Sequence, residues 1–166
     1  TIETDTLEIP NLTALAAHNE GALRFNTENT ALYITDYQGE LLDNILATIT
    51  DLDNTSKLQV VQERRLLAEA GFVSFADLIP VVERLTNETS YLVVCAVKSV
   101  LSSLKIFVDE GTETEAAFKK LLIKLNQANF DRLGFESKAG ETDEDELVRQ
   151  FVVANMIAAD DEKASQ

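Results

Sequence analysis

The chain has 166 residues, of which 45% are hydrophobic, and this length allows one substantial core. Fourteen Lys and Arg against 29 Asp and Glu give a formal net charge of -15. This charge argues against binding to nucleic acid or to an anionic membrane, because both need a basic surface, and it favours cationic or amine-bearing partners.

Alternating apolar and polar residues occur before residue 38, at 7–9, 22–25 and 31–35. Alternation predicts β-strands, but three short strands cannot form a domain by themselves. The chain also begins at Thr1 without an initiator methionine. We therefore expect residues 1–38 to be a short β remnant and the chain to be a piece of a larger protein.

From residue 39 onward the hydrophobic spacing becomes helical, with predicted helix starts near Glu40, Lys57, Ser74 and Tyr91. These starts are about 17 residues apart, which is one helix plus a short turn. The pattern predicts an all-α domain over residues 39–166. Its predicted architecture is an α-solenoid of antiparallel helical hairpins, similar to HEAT and armadillo repeats.

Helix boundaries are marked by capping residues. Four predicted capping boxes pair a hydroxyl with an acid or amide three residues later: Ser56 with Gln59, Ser74 with Asp77, Thr112 with Glu115, and Thr142 with Asp145. Gly71 is expected to end one helix in a left-handed conformation. Pro80 is expected to kink the helix that follows or to delay its start.

Residues suited to catalysis or metal binding are scarce. His18 is the single histidine and falls in a polar stretch, so we interpret it as a solvated loop residue and not as a zinc ligand. Cys95 lies in the apolar run 92–97 and is interpreted as a small core residue, which indicates a reducing compartment. We predict no catalytic, cofactor-binding or metal-binding residue in this chain.

Charged clusters have a simpler structural explanation. The acidic run 143–146 suits the positive end of a helix dipole, although a docking patch is an alternative. Arg64 and Arg65 lie beside Glu63 and Glu69 and are interpreted as paired surface charges, with the anchoring of a carboxylate as the alternative.

The order of several motifs resembles zinc aminopeptidases of the aminopeptidase N type. Residues 33–38, Tyr-Ile-Thr-Asp-Tyr-Gln, resemble the tyrosine-rich strand that closes their β-sandwich domain and leads into their C-terminal helical domain. The motifs of that helical domain follow in order at 66–71, 88–91, 133–135 and 147–149. The resemblance covers residues 22–163, with departures such as Lys57 in place of an arginine.

This resemblance implies that residues 1–38 are the trailing strands of a truncated β-sandwich domain. Residues 39–166 would then be a C-terminal helical domain that is incomplete at its end. The implied parent protein is a cytoplasmic, bacterial-type zinc metallo-aminopeptidase whose zinc ligands and catalytic residues precede Thr1. The chain itself would be non-catalytic, would hold no cofactor, and would form a wall or lid of the peptide-substrate chamber.

The expected partners are the upstream catalytic and β-sandwich domains of the same polypeptide, and peptides, but neither nucleic acid nor a membrane. Candidate contacts with the chamber or with another domain are Arg64, Arg65, Tyr91 and Arg149. The alternative hypothesis is a free-standing helical-repeat adaptor that binds a protein partner. A third hypothesis, an enzyme that uses paired carboxylates, is disfavoured because no acid pair lies in an evident apolar pocket.

Overall fold

A computed structural model describes residues 23–28 and 30–159, together with the single positions 9, 12 and 15. Residues 30–159 form six α-helices, and the all-α prediction is confirmed. The helices are α1 Gly39–Thr48, α2 Asn54–Glu69, α3 Ile79–Glu83, α4 Tyr91–Lys105, α5 Glu113–Leu133 and α6 Asp143–Ala158. Two 3-10 helices, Ile49–Asp51 and Phe75–Leu78, precede α2 and α3.

The segment before α1 differs from its prediction. Within residues 23–28 and 30–38 the backbone forms no β-strand, and among the described residues no second strand lies beside this segment to complete a ladder. Side chains hold the segment instead: the buried Tyr37 accepts a 2.8 Å hydrogen bond from Phe25 N through its hydroxyl. The predicted strand at 31–35 is therefore not formed here, and most of the predicted strand at 7–9 lies outside the described residues, as does His18.

The start of α2 also differs from its prediction. This helix begins before Lys57, and Asp53 is its N-cap: Ser56 N donates to Asp53 Oδ1 at 3.0 Å. The predicted box between Ser56 and Gln59 is wrong, because Gln59 Nε2 donates to Glu63 Oε1 at 3.1 Å instead. An aspartate one turn earlier is the stronger cap, since its carboxylate accepts from both the amide and the hydroxyl of Ser56.

The other capping predictions are largely confirmed. Complete capping boxes join Ser74 to Asp77 and Thr142 to Asp145. At α5 the box is half formed: Glu115 N donates to Thr112 Oγ1 at 3.4 Å, while the Glu115 carboxylate accepts from Gly111 N.

The connection between α2 and α3 follows the expected turn chemistry. Gly71 has a φ of +79°, a conformation that side chains with a Cβ rarely adopt, and it follows the last turn of α2. Pro80 lies at the beginning of α3, after the 3-10 turn Phe75–Leu78. The proline thus delays the helix and does not kink it, since its missing N–H costs nothing in a first turn.

The helices pack in a regular order. Helix α2 packs against α4, α4 packs against α6, and α3 packs against α5, while α5 and α6 share the most extensive interface. The larger core is centred on almost fully buried residues of α1 to α4 and of the two 3-10 helices, among them Ile45, Ile49, Val61, Leu78, Val82, Val93 and Val100. A second core lies where α4, α5 and α6 meet and contains Val94, Phe130, Leu133, Val148, Val152 and Met156.

No helix in the described ranges is both long and apolar enough to cross a membrane.

Candidate functional site

The two neighbouring arginines of α2 act within the fold. Arg64 Nη1 donates to Asp36 Oδ1 at 3.0 Å and to the carbonyl oxygen of Tyr37 at 3.2 Å. Arg64 therefore fastens the segment before α1 to α2. Arg65 pairs with Glu69 one helical turn later, as expected for surface charges at this spacing.

Arg149 is buried and joins α6 to the loop that precedes it. Its guanidinium Nη2 donates to Glu141 Oε2, and only 6% of the Arg149 surface is exposed. This hydrogen bond lowers the pKa of Glu141, so the pair stays charged. In the described structure the Arg149 charge is thus used to hold the α5–α6 connection.

Tyr91 is the candidate residue that faces open space. It is the first residue of α4 and lines a cavity of about 580 Å³ between α4, α5 and α6, called here the α4–α6 cavity. A hydrogen bond with the Cys95 side chain raises the pKa of the Tyr91 hydroxyl. The interpretation of Cys95 as a core residue is therefore corrected: it is half-buried and lines this cavity.

The α4–α6 cavity carries charges of both signs, because Glu110 and Glu115 line it together with three lysines. Lys98, Lys105 and Lys119 all line it, and Lys98 Nζ lies 5.8 Å from the centre of the Phe151 ring. Lys119 forms an ion pair with Glu115 at 3.2 Å. Aromatic and aliphatic walls with a few ammonium, amide and hydroxyl donors can bind the carbonyl and carboxylate groups of a peptide.

A second concavity, the apolar groove, has a volume of about 880 Å³. It lies between the 3-10 helix Phe75–Leu78, the end of α4 and the first half of α5. The rings of Phe75 and Phe107 meet at its wall with centroids 5.0 Å apart. Such a surface has little to polarise or activate a substrate, and it is suited to holding apolar groups.

The described residues do not provide a zinc site. Within residues 23–28 and 30–159 there is no cluster of three or more His, Cys, Asp or Glu side chains able to hold a metal ion. This donor set does not fit a catalytic zinc, which requires three protein ligands. We therefore derive no metal chemistry for these residues.

Sequence reasoning missed the polar contact between α2 and the segment before α4. Lys57 Nζ donates to Glu88 Oε1 at 2.6 Å, and Asn129 Nδ2 donates to the carbonyl oxygen of Glu88 at 2.8 Å. One signal was available: Lys57 occupies the same helical face as Val60 and Val61, both of which are buried. A lysine on an apolar face predicts a buried partner.

Comparisons with known proteins gave consistent matches. The family model described as ERAP1-like C-terminal domain matches residues 23–166. Aminopeptidase N of Lactococcus lactis subsp. lactis is 50% identical over 161 residues, which cover 96% of this chain and 19% of that protein. Aminopeptidase N of Lactobacillus delbrueckii subsp. lactis is 36% identical over 95% of this chain and 19% of its own length.

A plant protein, aminopeptidase M1-D of Oryza sativa subsp. japonica, is 27% identical over 81% of this chain and 16% of its own length. No solved structure matched the chain.

Proposed function

Because this chain belongs to the ERAP1-like C-terminal domain family, we propose that it forms part of the helical C-terminal domain of a zinc-dependent aminopeptidase. The supporting observation is the alignment of nearly the whole chain with proteins named aminopeptidase N, at up to 50% identity. The chain spans 19% of the length of these relatives, so the activity of the whole polypeptide is part of the proposal.

We propose that the zinc ligands and the catalytic groups belong to a preceding domain of the same polypeptide. The β-sandwich domain would lie between that domain and α1, and residues 1–38 would complete it. In the described structure the segment before α1 is held by Tyr37 and Arg64, which suits a junction between two domains. We also propose a cytoplasmic location, and the proposed bacterial type agrees with the Lactococcus and Lactobacillus relatives.

The helix order supports an α-solenoid. The contacts of α2 with α4, of α4 with α6, and of α3 with α5 suit two stacked layers of helices, which is the arrangement that we propose. Stacked helical hairpins build curved walls without catalytic loops. This property favours a role as the wall or lid of a peptide-substrate chamber over the catalytic domain.

In this proposal the α4–α6 cavity faces the chamber and contacts the distal part of a peptide. Tyr91 and Lys98 lie on α4 and would bind main-chain carbonyl or carboxylate groups of the substrate. The net charge of -15 would in addition attract the protonated amino termini of peptides.

Substitutions in the complete polypeptide test this role. Tyr91→Ala and Lys98→Ala should lower kcat/KM for long peptides and leave kcat/KM for a small aminoacyl anilide unchanged, because only a long peptide reaches the cavity. Lys124→Ala on α5 is the control, since Lys124 does not line the α4–α6 cavity. Equal effects on long and small substrates would contradict the chamber role.

The alternative is a free-standing helical-repeat adaptor that binds a protein partner on its concave face. The coding sequence before Thr1 separates the two hypotheses. An aminopeptidase requires a His-Glu-x-x-His helix several hundred residues upstream, whereas an adaptor would begin close to Thr1.

A further inference from the structure

A small polar pocket, called here the junction pocket, lies between the segment before α1 and helix α2. Its volume is about 10 Å³, and its polar lining residues are Thr35, Tyr37, Glu63 and Arg64. Apolar side chains of α1, α2 and α3 complete its wall. A volume of this size is about what one water molecule needs, and it is too small for an organic ligand.

Two of these residues each bury a polar atom. Thr35 Oγ1 and Arg64 Nε are shielded from solvent, and neither has a hydrogen-bond partner among the described residues. Arg64 Nη1 donates to Asp36 and to the carbonyl oxygen of Tyr37, and these bonds keep Nε from turning toward a different acceptor. Because a buried polar atom without a partner costs free energy, atoms of this kind normally bind ordered water.

The neighbouring polar groups surround Thr35 without satisfying its hydroxyl. Burial raises the pKa of the Tyr37 hydroxyl, and the Phe25 backbone and the Thr35 side chain lower it. Thr35 Oγ1 is nevertheless not in hydrogen-bonding geometry with Tyr37 or any other described residue. Burial also raises the pKa of Glu63, whereas Gln59 and the Thr35 backbone lower it. The Glu63 carboxyl group therefore lies beside Thr35 and provides a third polar group at the pocket.

We propose that the junction pocket binds one ordered water molecule that links Thr35 to Arg64. The water would accept a hydrogen bond from Arg64 Nε and donate to Thr35 Oγ1 and to the Glu63 carboxylate. Three hydrogen bonds are typical of a buried water. The positive charge of Arg64 disfavours a metal cation at the same place.

This water would strengthen the contact between residues 30–38 and α2. Arg64 already holds that contact directly, through its bonds to Asp36 and Tyr37. The water would add a second connection, from Arg64 Nε to the side chain of Thr35. Because all three proposed partners lie in the described part of the chain, the site does not depend on the aminopeptidase activity.

A crystal structure of the complete polypeptide, at a resolution that shows ordered water, tests the proposal. We expect one isolated density peak within hydrogen-bond distance, about 2.7–3.2 Å, of both Arg64 Nε and Thr35 Oγ1. A protein side chain at this place would overturn the proposal. So would an empty pocket, or a direct hydrogen bond from Thr35 Oγ1 to another protein atom.

Hydrogen–deuterium exchange of the complete polypeptide tests the link that the water makes. Thr35→Val keeps nearly the same side-chain shape but removes the hydroxyl, so amide exchange in residues 31–37 should become at least about fivefold faster. Thr35→Ser is the matched control, because it keeps the hydroxyl, and its exchange should stay within about twofold of the original. Equal exchange in Thr35→Val and the original polypeptide would overturn the link. If Thr35→Val does not fold, the crystal structure of the original polypeptide still decides whether the water is bound.

Discussion

Lys57 of α2 donates a 2.6 Å hydrogen bond to Glu88, and the two side chains are only 9% and 14% exposed. Glu88 lies in the segment that leads into α4, and its carbonyl oxygen also accepts from Asn129 of α5. One residue thus connects three helices. Because this ion pair is nearly buried, the loss of one partner leaves an unpaired charge in a poorly solvated place.

We expect Lys57→Met to lower the free energy of unfolding by about 2–3 kcal/mol, because Glu88 loses its counter-charge. This corresponds to a decrease in Tm of roughly 4–12 °C for a chain of this size. Thermal unfolding monitored by circular dichroism measures the change. Adding Glu88→Gln to Lys57→Met should recover most of the lost stability.

Lys124→Met is the matched control for this prediction. The Lys124–Glu83 pair has a similar distance of 2.7 Å, but the Lys124 side chain is 55% exposed. Exposed pairs contribute about 0–1 kcal/mol, so the control should change Tm by only a few degrees. Equal losses in the two variants would contradict the role assigned to Lys57.

The environment of Glu63 predicts that the stability of the chain depends on pH. Burial raises the pKa of the Glu63 carboxyl, although Gln59 donates a hydrogen bond to it. Because this pKa is raised in the folded state, protonated Glu63 contributes to the free energy of unfolding. This contribution is complete below the ordinary pKa and is lost as the pH rises through the raised pKa. Glu63→Gln should therefore gain stability relative to the original chain as the pH increases.

Measurement of Tm at pH 4 and pH 8 for both chains tests this prediction. The Tm of Glu63→Gln minus the Tm of the original chain should be larger at pH 8 than at pH 4. A difference that shrinks with rising pH would show that the ionised carboxylate stabilises the fold.

The N-terminus of α6 depends on Thr142. Its hydroxyl accepts from Asp145 N at 3.2 Å, and the loss of such a cap costs about 1 kcal/mol. We expect Thr142→Ala to lower Tm by about 2–4 °C. Thr55→Ala, at an exposed position in the first turn of α2, should leave Tm nearly unchanged.

The contacts of Asp145 predict that its carboxyl group titrates at an unusually low pH. The amide of Thr142, followed by the Arg132 guanidinium, lowers the pKa of Asp145 from 3.8 to about 2. The contribution of the Asp145 carboxylate to the free energy of unfolding is therefore complete above the pKa of the unfolded state. It is lost as the pH falls toward 2. Carbon-13 NMR should show titration near pH 2 and a higher value in Arg132→Gln; an identical value in the variant would contradict the assigned cause.

Local chemistry made much of the helical part predictable. Ser74, Thr142 and Gly71 act at helix ends as their residue types suggest, because caps and left-handed turns depend on neighbouring residues only. The conformation of residues 31–35 was harder to predict, because a segment with an alternating pattern forms a strand only where another strand lies beside it.

Tertiary features were not accessible in the same way. The apolar character of α4 suggested that Cys95 is buried, whereas its surroundings depend on how α6 packs beside α4. Of the four candidate residues, Tyr91 alone lines one of the two concavities described above, while Arg64 and Arg149 serve internal contacts. A single sequence records the charge of an arginine but not its distant partner.

The most direct test of the account is the hydrolysis of an aminoacyl p-nitroanilide by the complete polypeptide and by the 166-residue chain. We expect the complete polypeptide to be active, to lose activity with a zinc chelator and to regain it with added zinc, and the 166-residue chain to be inactive under all these conditions. Hydrolysis by the 166-residue chain, or an inactive complete polypeptide, would contradict the account.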